Sequence, residues 1–249
     1  GRNISSVIVW DNVVNYKKTL GKHNFDAMAG SSWTQSKWSQ NYINGSNYAN
    51  ENFPTLNAAN KISWTGTGSS AADWAIFSTF ARLQYNWNDT YMVTANMRAD
   101  GSSKLAPHHR WGYFPSFSAA WRISEERFMD STRDWLNNMK LRTSWGLLGN
   151  QDALDEYYPY MNTYKVDATY PFAGQLYSGY YQKSFKKQDI SWEKARTWGV
   201  GVDMTVINKV NLTLDYYNRK TTDIIMEVPV PDEFGLGAYR DNVGSLENR

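Results

Sequence analysis

Hydrophobic and polar residues alternate with a period of two along three consecutive stretches, Ala75–Trp87, Tyr91–Asp100 and Phe114–Ile123. One parity carries Phe77, Thr79, Ala81, Leu83, Tyr85 and Trp87, then Tyr91, Val93, Ala95, Met97 and Ala99, then Phe117, Ala119, Trp121 and Ile123. The other carries Arg82, Gln84, Thr94, Asn96, Arg98, Ser116, Ser118 and Arg122, and every charged side chain within these stretches falls on it. Period two predicts strands with one apolar and one polar face. Such a sheet either covers a core or faces lipid.

The same alternation predicts strands over Ile4–Leu20, Asn24–Trp33, Met139–Leu148, Arg196–Ile207 and Val210–Lys220. Between them, Thr34–Asp73 and Gly149–Ala195 show no period and read as long loops, and the chain after Lys220, with its prolines and glycines, reads as a further loop. Ser124, with two acids directly behind it, predicts a cap on a short helical turn within Ser124–Asn138. Connections therefore run tight, long, tight, medium, helical turn, long, tight, long. Apart from the helical turn, that is the asymmetry of an outer-membrane barrel, with short periplasmic turns and longer external loops. It predicts that His23, Asp89, Glu126 and Asn208 lie at the periplasmic end and Asn52, Leu105, Tyr164 and Phe234 outside.

Composition agrees with a sheet between lipid and a wet lumen. Mean hydropathy is low, −0.63, yet aromatics make up 16% of the chain, with 12 Trp and 17 Tyr, the pairing expected of strands with interfacial aromatic girdles. No run approaches the roughly 18 apolar residues of a membrane-spanning helix, which excludes a helical membrane protein. The absence of Cys excludes disulfides and thiolate metal sites. A net charge of +2 points to no nucleic acid partner. The chain opens at Gly1 without an initiator Met or signal peptide, and reads as a fragment of something longer.

Several motifs resemble one family. Tyr91-Met-Val-Thr-Ala-Asn-Met-Arg-Ala-Asp-Gly-Ser-Ser-Lys104 is followed by Arg110-Trp-Gly-Tyr-Phe-Pro-Ser116, Ala120-Trp-Arg-Ile-Ser-Glu-Glu126, Lys140-Leu-Arg-Thr-Ser-Trp-Gly146 and Gly149-Asn-Gln151. Trp192-Glu193-Lys194, Gly201-Val-Asp203 and Tyr216-Tyr217 through Thr221 extend the set. Together they resemble the C-terminal barrel region of SusC/RagA-like TonB-dependent outer-membrane transporters, from about Phe77 onward. The resemblance implies an all-β fold: an antiparallel transmembrane β-barrel, here an arc of roughly eight strands from a barrel of about 22. Residues 1–249 would all belong to the barrel domain, with the plug domain and final strands absent. It further implies import of glycans or peptides across the outer membrane, a SusD-like surface lipoprotein as partner, and energy from the TonB complex acting through an absent N-terminal region.

Candidate chemistry is sparse. His23, His108 and His109 lack a positioned carboxylate or further ligands and read as solvated loop residues. Gly66-Thr-Gly68 is not a phosphate loop, and Asp100-Gly-Ser-Ser103 lacks the acidic spacing of a calcium loop. Asp152, Asp155 and Glu156 could gather a cation, but a solvated acidic turn is the plainer reading. No catalytic residue, cofactor or metal is therefore expected. Arg82, Arg98, Arg122 and Arg142 are expected to face the lumen, pairing with carboxylates or water rather than forming an anion-selectivity patch. Tyr158, Tyr160, Tyr164, Tyr170, Tyr177 and Tyr180, with Phe172, form an external aromatic stretch suited to stacking on sugar rings. Its competing reading is packing of the loops upon themselves. The alternative to an importer is a soluble all-β carbohydrate-binding module using the same aromatics.

Overall fold

The computed structural model describes residues 1–249 except Ala49, Glu51, Phe53, Pro54 and Asp155, and except the side chains of Trp64, Asp167, Lys183 and Ser184. Nine strands form one antiparallel sheet: β1 (Arg2–Leu20), β2 (His23–Tyr48), β3 (Ala59–Trp87), β4 (Tyr91–Ser102), β5 (Trp111–Arg122), β6 (Leu136–Asn150), β9 (Glu193–Val206), β10 (Val210–Val228) and β11 (Tyr239–Asn248). Neighbours in sequence are neighbours in space, except that β6 pairs with β9. The intervening β7 (Thr163–Phe172) and β8 (Gln175–Ser184) form a separate two-stranded hairpin. The main sheet is open, with β1 and β11 at its edges.

All eight expected strands are present, and the registers place their apolar parities on one face. Ala27 lies opposite Leu83, Leu83 opposite Ala95, and Ala95 opposite Phe117. Phe117 lies opposite Trp145, Trp145 opposite Trp198, and Leu214 opposite Val202. Because side chains alternate across a strand, one row fixes the whole face. Large apolar side chains on it stay exposed: Leu83 52%, Phe117 53%, Leu214 65%. Among the described residues nothing covers them.

Two aromatic rows bound this face. At the short-turn end Phe25 meets Tyr85 (5.0 Å between centroids), Trp87 meets Tyr91 (5.4 Å), and Tyr91 stacks on Trp121 (6.2 Å). At the other end Trp10 lies opposite Trp33, Trp33 opposite Phe77, and Phe77 packs edge-on to Trp111 (6.2 Å). Trp87 to Phe77 covers about 34 Å along the strand. Tilted by about 40°, it rises about 26 Å, matching the apolar band of about 25 Å in outer-membrane barrels.

The long loop expected over Thr34–Asp73 is instead mostly strand: β2 continues to Tyr48 and β3 begins at Ala59, paired through most of their length with a register shift between Tyr42 and Asn44. Past the aromatic row both faces meet water, so nothing forces alternation on the sequence. Its Phe53-Pro54 lies outside the described residues. Two further expectations are corrected likewise. Gly149–Ala195 holds the hairpin β7–β8, and the last stretch holds β11. The helical turn after β5 is two short 3-10 turns, Ile123–Glu125 and Arg127–Thr132, capped by Arg122 and Glu126 without side-chain bonds, and Ser124 is buried within the first rather than capping it.

Connections sort as expected. Gly21–Lys22, 88–90, 123–135 and 207–209 lie at one end; 49–58, 103–110, 151–192 and 229–238 lie at the other. Apart from Leu136 at the short-turn end, buried apolar residues gather at the long-loop end on the polar face. Leu105, Phe114, Leu154, Ile190, Trp192 and Ile225 form that cluster, with Ile76, Leu147, Ala153 and Tyr160 against it.

Candidate functional site: the polar face and the long-loop end

On the polar face, arginines on β3, β4 and β6 meet aspartates on β2, β4, β9 and β10. Arg82 on β3 approaches Asp26 on β2 (3.9 Å), which also pairs with Lys17 (3.1 Å). Arg98 donates through Nε to Asp100 (2.7 Å) and through Nη2 to Ser78 (2.9 Å), with its guanidinium 5.7 Å from the centre of the Phe80 ring. Arg142 on β6 is held by Asp203 on β9 (2.6 Å) and Asp215 on β10 (3.0 Å). Arg122 lies opposite Lys140, and its Nε has no partner among the described residues. The four arginines thus share a face but not a site. Three are bound within cross-strand networks.

Where the polar face meets the long loops, residues distant in sequence meet around Phe114. Its ring covers Gly112 and Gly149 so closely that an added Cβ at either would clash with it, so only glycine fits beneath. Trp192 packs edge-on to Phe114 (5.4 Å) and donates Nε1–H to the Arg110 carbonyl (3.0 Å). Glu193, 7% exposed, accepts from the Asn150 amide (2.7 Å) and from the Ile225 backbone N–H (2.8 Å), joining β6, β9 and β10. Lys104 donates to the Leu154 carbonyl (3.1 Å) while lying over Trp74 (5.4 Å). Four motif segments, Asp100–Lys104, Arg110–Ser116, Gly149–Gln151 and Trp192–Lys194, thus form one knot. Sequence reasoning read them as separate markers and missed Phe114 and Glu193 as its centre. The glycines flanking Phe114 in space are 37 positions apart in sequence, so no local period could connect them.

The aromatic stretch divides into two groups. Tyr158 donates its hydroxyl to Asp73 on β3 (2.7 Å), which raises the phenol above its ordinary range, chiefly through that bond. Tyr160 packs against the buried cluster, its hydroxyl 3.4 Å from Arg110 Nη2. Both belong to the base of the loop. Tyr164, Tyr170, Tyr177 and Tyr180 stand on the hairpin. Tyr170 stacks on Tyr177 (6.1 Å), Phe172 packs edge-on to Tyr177 (6.1 Å), and Tyr164 edge-on to Tyr180 (6.1 Å). All remain open to solvent, from Tyr177 at 42% to Tyr180 at 76%.

The hairpin's stalk is tied down by ion pairs. Lys186 binds Glu156, and Lys187 pairs with Asp241 (3.4 Å), whose charge raises the lysine above its usual range. Glu156 is therefore engaged, the Asp152 backbone N–H donates to the Asn150 side chain (2.9 Å), and Asp155 lies outside the described residues. Among the described residues no group of three possible metal ligands occurs. His23 bonds the Tyr85 hydroxyl (2.8 Å) at the short-turn end. The Gly66–Gly68 segment lies within β3.

A two-faced antiparallel sheet with an uncovered apolar band, aromatic rows at both margins and a charged, bonded opposite face defines the wall of a membrane-spanning β-barrel. The family model described as TonB dependent receptor-like, beta-barrel, matches residues 2–249, and this chain belongs to that family. It is 38% identical over 178 residues to TonB-dependent receptor SusC of Bacteroides thetaiotaomicron, covering 70% of this chain and 17% of that protein. It is 31% identical over 243 residues to TonB-dependent receptor P39 of Formosa agariphila, covering 96% of this chain and 22% of that one. Among solved structures, the RagAB peptide importer in the closed-closed state matches with a TM-score of 0.86 at 22% identity, over 98% of this chain and 27% of that one. A mutant ferric enterobactin receptor from Pseudomonas aeruginosa gives 0.62 at 18% identity, over 98% and 32%. The chain thus spans about a fifth of the curated relatives' length. As a TonB-dependent receptor barrel it is an outer-membrane protein, and the soluble-module reading finds no support.

Proposed function

We propose that this chain is wall and outer-loop structure of an importer that carries oligomeric nutrients, glycans or peptides, across the outer membrane. The short-turn end is periplasmic and the long-loop end external, as in barrels of this class. Arg82, Arg98, Arg122 and Arg142 face the lumen, where charge is tolerated. A SusD-like surface lipoprotein meets the external end, and the TonB complex supplies energy through parts of the protein outside this sequence. The chain itself performs no chemical step.

One observation carries the reading. The sheet is bonded and charged on one face and apolar on the other, and the polar face ends in a rigid knot from which an exposed aromatic hairpin projects. The likeness to SusC by sequence and to the RagAB peptide importer by fold supports oligomers as cargo.

Within it, Tyr164, Tyr170, Tyr177 and Tyr180 contact cargo, while Tyr158 and Tyr160 hold the base of their loop. The test uses full-length protein and a panel of oligosaccharides and oligopeptides. Tyr164→Ala and Tyr177→Ala should weaken binding of the transported oligomer about tenfold or more, the scale of a lost aromatic contact. Unchanged affinity in both would remove the hairpin from the binding site. Failure of the full-length protein to take up any oligomer would contradict the importer.

A further inference from the structure

The apolar face changes character past its aromatic row, and does so differently in two sectors. On β9 and β10 the face runs Met204, Val202, Val200 and Trp198, against Leu212, Leu214, Tyr216 and Asn218. The next pair is Arg196 opposite Lys220. Exposure alternates through this part of β9, with Glu193, Ala195 and Gly201 buried and Lys194, Arg196, Trp198 and Val200 exposed, so Arg196 projects on the same side as Trp198. Trp198, one step into the band, and Tyr216, two steps into it, touch each other at 5.5 Å.

Like charges directly opposite destabilise a sheet, since their Cβ atoms lie only about 4.5–5.5 Å apart. Neither Arg196 nor Lys220 forms an ion pair among the described residues. Glu247, opposite Lys220 on β11, is engaged by Asn218 (2.7 Å) and Arg249 (3.0 Å). Lys194, the next cation along β9, pairs with Asp223 (3.3 Å). The row Arg196, Lys220, Arg249 and Glu247 therefore carries surplus positive charge. In the β2–β3 sector the first charged pair past the aromatic row is Lys37 opposite Asp73, of opposite sign. Of these two sectors, only β9–β10 sets like charges directly opposite each other.

The geometry points to a phosphate-binding site on the membrane-facing side of β9 and β10, in which Arg196 and Lys220 hold the headgroup phosphate of an outer-leaflet lipid. Position selects the ligand. Arg196 sits one step beyond Trp198 and Lys220 two steps beyond Tyr216, at the level where a lipid's acyl chains give way to its headgroup. Arginine offers a planar fork matched to phosphate oxygens and lysine a compact charge beside it. A phosphate between them relieves the repulsion, while its acyl chains lie along Val200, Val202, Leu212 and Leu214. The inference rests on reading the apolar face as the lipid face.

The experiment uses full-length receptor purified in detergent, with native mass spectrometry to count bound lipid. The probes are bisphosphorylated lipid A, the same lipid without phosphates, and inorganic phosphate. Bisphosphorylated lipid A should be retained, and retained at least fivefold less by the double variant R196Q/K220Q. The swapped pair R196K/K220R should restore binding, and K37Q should leave it unchanged. Both cations are exposed, so the double variant keeps its fold, checked by heat-modifiable migration. Equal retention by R196Q/K220Q, equal binding of the dephosphorylated lipid, or displacement by millimolar inorganic phosphate would overturn the site. Val200→Cys is labelled in parallel with a lipid-soluble maleimide. Labelling only by a water-soluble reagent would overturn the lipid-face reading on which the site stands.

Discussion

Strand β3 obeys two different rules along its length. From Phe77 to Trp87 it alternates, Phe77, Thr79, Ala81, Leu83, Tyr85 and Trp87 against Ser78, Phe80, Arg82, Gln84 and Asn86, with Phe80 the one bulky apolar residue on the polar side. From Ala59 to Ile76 it is the same strand, still paired to β2 and in unbroken register from Gly68 on, yet no alternation survives. Backbone pairing is therefore not what writes the pattern. The solvent is: lipid on one face penalises every polar side chain there, and where water bathes both faces that pressure disappears. The knot around Phe114 forms a third regime, buried by protein alone.

The largest effect should come from that knot. Phe114→Ala removes a buried ring with glycines beneath it and should destabilise by about 3–5 kcal/mol. Limited proteolysis should show the cut sites in 103–110 and 151–192 opening first, with the strands between the aromatic rows intact. Next come charges introduced on one face at two heights. Ala95→Arg, between the rows, should lower unfolding stability by about 2–4 kcal/mol. Ala71→Arg, on the same face of β3 above the row, should stay within about 0.5 kcal/mol, and so should Gln84→Arg on the polar face beside Asp26. Urea titration in lipid vesicles measures all three. Equal losses at Ala95 and Ala71 would erase the distinction between the two halves of β3.

The smallest effect concerns the short-turn end. The Glu126 carboxyl is held below its usual range, first by the Tyr91 hydroxyl (2.6 Å) and then by the Trp121 indole N–H (3.0 Å). A carboxylate with a lowered folded value stabilises fully above its unfolded value, and that contribution is lost as pH falls through the folded one. Amide exchange within 123–132 should therefore quicken, beyond its intrinsic pH dependence, as pH drops below the ordinary glutamate range. Glu126→Gln should abolish that extra change.

What was legible in the sequence follows the same division. The eight strand cores, their facing and the sorting of connections to two ends could be read because lipid imposes period two and outer-membrane barrels keep one set of turns short. The upper half of the β2–β3 ribbon, β11 and the β7–β8 hairpin could not. Both faces of those strands meet water, and turn residues such as Gly174, with φ of +78°, resemble those of any loop. The arginines' shared face was readable from parity, whereas their partners were not: Arg142 meets Asp203 and Asp215 from strands 61 and 73 positions away. Glu193 looked like any acid beside a lysine. Only the register of β6, β9 and β10 turns it into a buried crosslink.

Cysteine labelling tests the central claim most directly, and the chain has no cysteine of its own to interfere. Ala95 and Asn96 are adjacent, in the middle of β4, on opposite faces. In the intact barrel Ala95→Cys should react only with a lipid-soluble maleimide and Asn96→Cys with a water-soluble one. The reverse pattern, or equal reaction of both with the water-soluble reagent, would contradict the assignment of the apolar face to lipid.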